Sequence, residues 1–181
     1  MKKILLITML ILGAAASASG EYLISADKAL KKMYKKATHF ERRLVSLNDD
    51  QQRRIEEDAQ IRFGPSHVPQ LVVYTAYEGD LIVGRIIEDT VVGKWGPIHY
   101  MTAFDTAGTV REVVVLDYHE IRGKPAAKRR FLKQYKGKNA ADPIRVRKDI
   151  DGITGATITS RSLTDGVRKT AHVLGILEKN N

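Results

Sequence analysis

The sequence predicts a single α+β domain: an antiparallel sheet of two hairpins packed with N-terminal and C-terminal helices. Three observations predict it. Amphipathic runs with apolar residues at steps of three and four stand towards both ends of the chain. Between them lie four segments rich in β-branched and aromatic residues, and turn-forming triplets divide these into pairs. Connections that short favour antiparallel pairing, because parallel strands need a crossover of about a dozen residues or more. With 181 residues and no linker long enough to divide it, the chain suits one domain.

The N-terminus carries an address. Met1-Lys2-Lys3 precedes a mostly apolar stretch over 4–12 (ILLITMLIL), followed by GAAASASG. A basic start, an apolar core of about 7–15 residues and a small-x-small site describe a secretory signal peptide. Ala16-Ser17-Ala18 fits the cleavage site, so residues 1–18 are expected to direct export. The apolar core is short of the roughly 20 residues of a comfortable membrane span, and retention as an uncleaved anchor is the alternative. The mature protein is expected outside the cytoplasm, periplasmic or extracytoplasmic.

Residues 19–66 are expected to form an N-terminal helical segment. Leu30, Met33, Tyr34, Ala37, Phe40, Leu44 and Leu47 place one helical face over 25–47, with Ser25 as its N-cap and basic residues opposite. Asn48-Asp49-Asp50 opens a second helix with Ile55 and Ala59 facing inward, and Gly64-Pro65 ends it. A basic amphipathic helix also suits a membrane surface, but a following sheet that needs covering favours packing within the domain. Strands are predicted over 70–76 and 81–88 around Glu78-Gly79-Asp80, and over 99–105 and 109–118 around Thr106-Ala107-Gly108. Helices follow over 125–135, with Ala126, Phe131, Leu132 and Tyr135 inward, and over 160–178, with Leu163, Val167, Ala171, Leu174 and Leu177 inward.

Composition excludes several chemistries. The chain has no cysteine, so it holds no disulfide, thiol nucleophile, cysteine-ligated metal or Cys-x-x-Cys-His haem attachment. His39, His67, His99 and His172 show no metal-ligand spacing. The formal net charge is +9, and residues 124–138 hold seven basic residues and no acid. A nucleic-acid partner is not expected behind a signal peptide and without an aromatic RNA-binding motif. The basic run reads as a solvated face or as a docking surface for an acidic redox partner.

One segment is unusual chemically: Asp149-Ile150-Asp151-Gly152-Ile153-Thr154-Gly155-Ala156-Thr157-Ile158-Thr159-Ser160. Gly152, Gly155 and Ala156 leave the backbone open to close approach, and Thr154, Thr157, Thr159 and Ser160 place four hydroxyls just before a helix N-terminus. Local chemistry fits both a phosphate-binding turn and a hydroxyl-rich helix cap without a ligand.

Within that segment, 151–157 (DGITGAT) resembles the flavinylation motif of FMN-binding domains, Asp-x-x-(Ser/Thr)-Gly-Ala-Thr. The family is similar to the flavin subunits of the sodium-translocating NADH:quinone reductase and Rnf complexes. The resemblance extends from about residue 70 to 179. It includes Gly93-Lys94-Trp95-Gly96-Pro97-Ile98 as a glycine-bearing segment before the sheet, and His119-Glu120-Ile121-Arg122-Gly123 as a turn after the last long strand. Where the large-complex subunits usually carry Thr-Pro-Gly-Leu-Gly after the glutamate, this chain has Ile121-Arg122-Gly123-Lys124-Pro125, which favours the smaller stand-alone carriers.

The resemblance implies an FMN-binding domain over 67–181 and an electron-transfer flavoprotein whose FMN is joined through a phosphoester bond to Thr157. A flavin transferase using FAD and Mg2+ is implied, as is a redox partner such as a cytochrome or membrane oxidoreductase. A non-catalytic FMN-binding sensor or assembly module of a membrane-associated redox system is the alternative. Asp151 and Thr154 position the loop or are read by the transferase, and Gly152, Gly155 and Ala156 keep it open. Thr159 and Ser160 complete the phosphate end, while His119 and Glu120 line the flavin pocket or form a structural strand-end pair. Trp95 stacks on the flavin or, as lone tryptophans more often do, packs structurally. Without a second cofactor fingerprint, the chain resembles an electron relay more than a self-contained enzyme.

Overall fold

The computed structural model describes residues 21–63, 70–118 and 124–179. The signal segment, Gly64-Pro65, and His119 with Glu120 lie outside these residues. The architecture is α+β, as expected, with every strand antiparallel to its neighbours.

After a two-residue strand β1 (Glu21–Tyr22), helix α1 (Ala26–Met33) starts at Ser25, whose side chain accepts a hydrogen bond from the Lys28 amide. Ala29, Leu30 and Met33 face inward. The predicted continuation of this helix to residue 47 is wrong: His39–Ser46 is strand β2, paired with β3 from His39 opposite Tyr77 to Ser46 opposite Gln70. Ladder pairing supplies the backbone bonds here. β2 lies at the sheet edge with most side chains in solvent, and Leu44 is 55% exposed, so its apolar spacing does not mark a buried helical face. Helix α2 (Asp49–Ala59) follows expectation, with Asn48 and Gln51 forming a reciprocal capping box and Ile55 and Ala59 buried. It ends at Gln60 in the left-handed region, ahead of the expected Gly64-Pro65.

Strands β3 (Gln70–Glu78), β4 (Leu81–Val92), β5 (Pro97–Phe104) and β6 (Val110–Tyr118) contain the two predicted hairpins, in a sheet of order β1-β6-β5-β4-β3-β2. The segment 93–96, expected ahead of the sheet, is instead the turn joining β4 to β5, closed by Gly93 N–H donating to the Gly96 carbonyl at 2.8 Å. The two hairpins therefore form one continuous meander. Gly84, at φ +154°, leaves room for the Tyr34 hydroxyl, which crosses it to donate to the Phe104 carbonyl.

The predicted helix over 125–135 is broken into a 3-10 turn (Lys124–Ala127), helix α3 (Arg129–Leu132) and a second 3-10 turn (Lys133–Tyr135), with extended backbone at Lys128 separating the first two. Its apolar set is right: Ala126, Phe131, Leu132 and Tyr135 are buried. Helix α4 (Thr157–Lys179) begins three residues earlier than expected and buries Leu163, Val167, Ala171, Leu174 and Leu177.

The sheet has a core on each face. Ile87, Tyr100, Phe104 and Val115 pack with α2, α3 and α4, while Ile86, Met101, Ala103 and Leu116 pack with α1. Strand alternation separates neighbouring charges as well: Asp89 faces α4 and Glu88 faces the α1 side. Beneath α4, Lys169 pairs with Asp89 at 2.6 Å, both side chains being under 9% exposed, and the Tyr100 hydroxyl donates to Asp89 at 2.7 Å. The Arg168 guanidinium donates to the carbonyls of Ala59 and Ile144 and pairs with Asp165 at 2.8 Å. Gly166 permits the close approach of α4 to the sheet, since a Cβ there would lie 2.5 Å from the Tyr100 hydroxyl and 2.7 Å from Val91 Cγ1. These contacts fix the position and rotation of α4, whose first residue is Thr157.

Candidate functional site

The loop leading into α4 is held by its own backbone and by two side chains outside the motif. The Asp149 carboxylate accepts from the amides of Ile144 (3.1 Å) and Arg145 (2.7 Å) and pairs with Lys138 at 2.8 Å. Burial alone would raise this carboxyl, but the hydrogen bonds from Lys138 and the two amides outweigh it and hold it below the usual aspartate value. Ile144 and Arg147 adopt left-handed backbone within this turn. Gln134 then brackets Asp151: its side-chain oxygen accepts from the Asp151 amide at 2.8 Å, and its side-chain nitrogen donates to the Asp151 carbonyl at 3.3 Å. A Cβ on Gly152 would lie 2.9 Å from Val146 Cγ1, so the small residue lets the loop pass close to that side chain.

Gly155 turns the chain into the helix with φ +79°, and a Cβ placed there meets open space. The requirement at Gly155 is thus backbone conformation, with room left beside it. Ala156 is buried, and its carbonyl accepts both the Ser160 amide (2.9 Å) and the Ser160 hydroxyl (2.8 Å). Ser160 Oγ in turn accepts from the Ile153 amide at 3.1 Å. Ser160 and Thr159 are buried under this end of the helix, whereas Asp151, Thr154 and Thr157 are exposed. The structure therefore divides the predicted set. Ser160 closes the loop onto the helix, and Thr157 stands exposed on the first turn.

The donor set fits a phosphate ester. The amides of a helix's first turn have no acceptor within the helix and carry partial positive charge. The neighbouring glycine leaves space, and Arg161 is exposed just beyond the first turn. Among the described residues, no group of three or more His, Asp or Glu could hold a metal ion, and no helix is long and apolar enough to cross a membrane.

Gln134 and Asp149 are the supporting residues that sequence reasoning missed. Asp149 carries a local signal, an acid following a turn of basic residues, without an evident acceptor role. Gln134 carries none, because its partner lies 17 positions away. The cavity of about 530 Å³ lined by Arg43, Thr75, Tyr77, Ile82, Arg85 and Leu177 belongs to the opposite end of α4. At about 1.5 Å per residue, that end is roughly 33 Å from Thr157.

Residues 93–172, which carry this loop and most of the helix behind it, match the FMN-binding domain family. The match runs from the β4–β5 turn through the first two-thirds of α4 and includes the whole 149–160 segment. One subunit of the proton-translocating ferredoxin:NAD(+) oxidoreductase complex of Clostridium ljungdahlii is 32% identical over 104 residues, covering 53% of this chain and 56% of that protein. The chain thus spans about half the length of the curated relative it matches.

Proposed function

We propose that this chain is an extracytoplasmic electron-transfer flavoprotein carrying FMN through a phosphoester bond to Thr157. The observation that carries the reading is Thr157 itself. It is the last residue of the DGITGAT segment, lies inside the matched region, and is exposed on the first turn of a helix anchored to the sheet by a buried ion pair. A flavin transferase with FAD and Mg2+ supplies the group. Thr157 Oγ forms a new bond to the phosphorus of the FMN half, the bond joining the two phosphates of FAD breaks, AMP leaves, and the hydroxyl proton passes to solvent.

Bound flavin supplies one- and two-electron chemistry, and the protein governs its access and potential. Thr157 provides the attachment oxygen, Gly155 the clearance, and Gln134 and Ser160 the loop conformation; Asp151 and Thr154 stand exposed where a transferase would read them. Residues 1–18 serve as the export signal, and 67–181 as the flavin domain. The clostridial relative is part of an oxidoreductase complex, which supports a membrane redox system as the partner; a cytochrome is the other candidate.

Co-expression with a flavin transferase, denaturation and mass analysis test the proposal. A fluorescent band and FMN mass on the peptide containing Thr157 are expected, and Thr157→Ala abolishes both. Failure of the wild-type chain to load beside an active transferase overturns it.

A further inference from the structure

One end of the sheet gathers much of what the fold leaves uncovered. β4 runs antiparallel to α4, because Arg85 pairs with Glu178, Asp89 with Lys169, and Val91 lies against Gly166. From Val91 the strand needs only a few steps of about 3.3 Å to reach the 93–96 turn, and from Gly166 the helix needs nine steps of about 1.5 Å to reach Thr157. The Trp95 turn and the first turn of α4 therefore stand at the same end. β1 points there too. Glu21 is level with Tyr118, Tyr118 with Ile98, and Ile98 with Val91, so the described chain begins at that end.

Four of the large exposed apolar side chains collect at this rim: Tyr22 (67% exposed), Val92 (71%), Trp95 (51%) and Ile158 (52%). Two exposed cations accompany them, Lys94, whose ammonium lies 5.0 Å over the Trp95 ring, and Arg161. Exposed apolar groups gathered in one place mark an interaction surface. Aromatic rings and aliphatic side chains with Lys and Arg beside them suit the headgroup level of an anionic bilayer.

We propose that this end of the domain is a membrane-docking face whose occupant is an anionic bilayer surface. A bilayer suits the rim better than a soluble acidic protein because the described residues begin there, at Glu21, and the uncleaved form of the N-terminal segment keeps Lys2, Lys3 and the apolar stretch 4–12 joined to that end. Docking in this way turns the exposed hydroxyl of Thr157 towards the membrane.

Trp95 is the sole tryptophan, which makes it a reporter placed within the rim. The intact chain without flavin is mixed with vesicles of equal parts phosphatidylcholine and phosphatidylglycerol. Trp95 emission is expected to shift to the blue and to be quenched by bromine on the acyl chains. Lys94→Gln and Arg161→Gln each weaken vesicle binding roughly fivefold. Ile158→Ser reduces the quenching, while Leu81→Ser at the opposite end of the sheet leaves it unchanged. Vesicle binding through the N-terminal segment with Trp95 unshifted and unquenched overturns the proposal, as does Trp95 responding only to an acidic protein. Because the flavin-free chain is used, such a failure is separate from failure of Thr157 to load.

Discussion

Glu88 and Asp89 are neighbours in β4 and enter two different polar networks, one on each face of the sheet. Asp89 is covered by α4 and meets one cation, Lys169, and one hydroxyl, Tyr100, in a nearly water-free site. Glu88 stands on the α1 side beyond the cover of α1. It accepts from the Tyr74 hydroxyl at 2.7 Å and binds His99 at 2.8 Å, while the other His99 ring nitrogen lies 3.1 Å from Asp117. About 30% of the His99 side chain remains exposed. Both ring nitrogens face carboxylates, an arrangement that favours the doubly protonated, cationic imidazole. The buried pair locates α4, and with it Thr157; the half-exposed network makes one corner of the sheet responsive to pH. Their difference is one of water access rather than of residue type.

The sharpest way to break the comparison is to remove one partner of the buried pair. Lys169→Met leaves the Asp89 carboxylate buried without its cation, and a loss of about 3–5 kcal/mol is expected in urea denaturation. Adding Asp89→Leu should recover most of that loss. A double variant as unstable as the single one would mean that Lys169 acts through packing alone. Gly166→Ala comes next, because its Cβ would meet the Tyr100 hydroxyl and Val91; about 1–3 kcal/mol is expected from the displacement of α4.

The His99 network should answer to pH instead. Its hydrogen bond to Glu88 raises the histidine above its ordinary value, outweighing burial, and the bond to Asp117 adds to the rise. The stabilisation is therefore complete below about pH 6.5 and is lost as pH rises through the raised folded value. For Glu88, burial acts upward, but the bonds to His99 and Tyr74 outweigh it and lower the carboxyl. Its contribution is present above the unfolded value and is lost as pH falls through the lowered one. A stability profile against pH should thus decline on both sides, by roughly 1 kcal/mol on the alkaline limb, and His99→Gln should flatten that limb. The smallest effect is expected from Gln134→Ala, which frees the backbone of Asp151. About 1 kcal/mol of stability and a slower loading of Thr157, followed by flavin fluorescence over time, are the measures.

Legibility in the sequence followed the same division. The four meander strands are readable because one or both of their faces are buried and short turns punctuate them. Edge strand β2 is not: with most side chains in solvent, Phe40 and Leu44 imitate a helical stripe, and only the pairing of His39–Ser46 with β3 decides its conformation. Thr157, Gly155 and Asp151 are legible as a contiguous motif. Gln134 and the Asp89–Lys169 pair are not, because they join residues 17 and 80 positions apart that only the folded chain brings together. Ser160 was legible as a site residue, whereas its use as a clasp between Ile153 and Ala156 depends on the turn at Gly155.

The exposure of Thr157 bears on the order of assembly. Both cores are built from side chains along the sheet and its helices, and the buried ion pair that seats α4 lies well along the helix from its first residue. The seating of α4 thus rests on residues remote from its exposed first turn. Under the proposed function, flavin would attach to a helix already seated, so a polypeptide that crosses a membrane empty could be loaded afterwards on the far side.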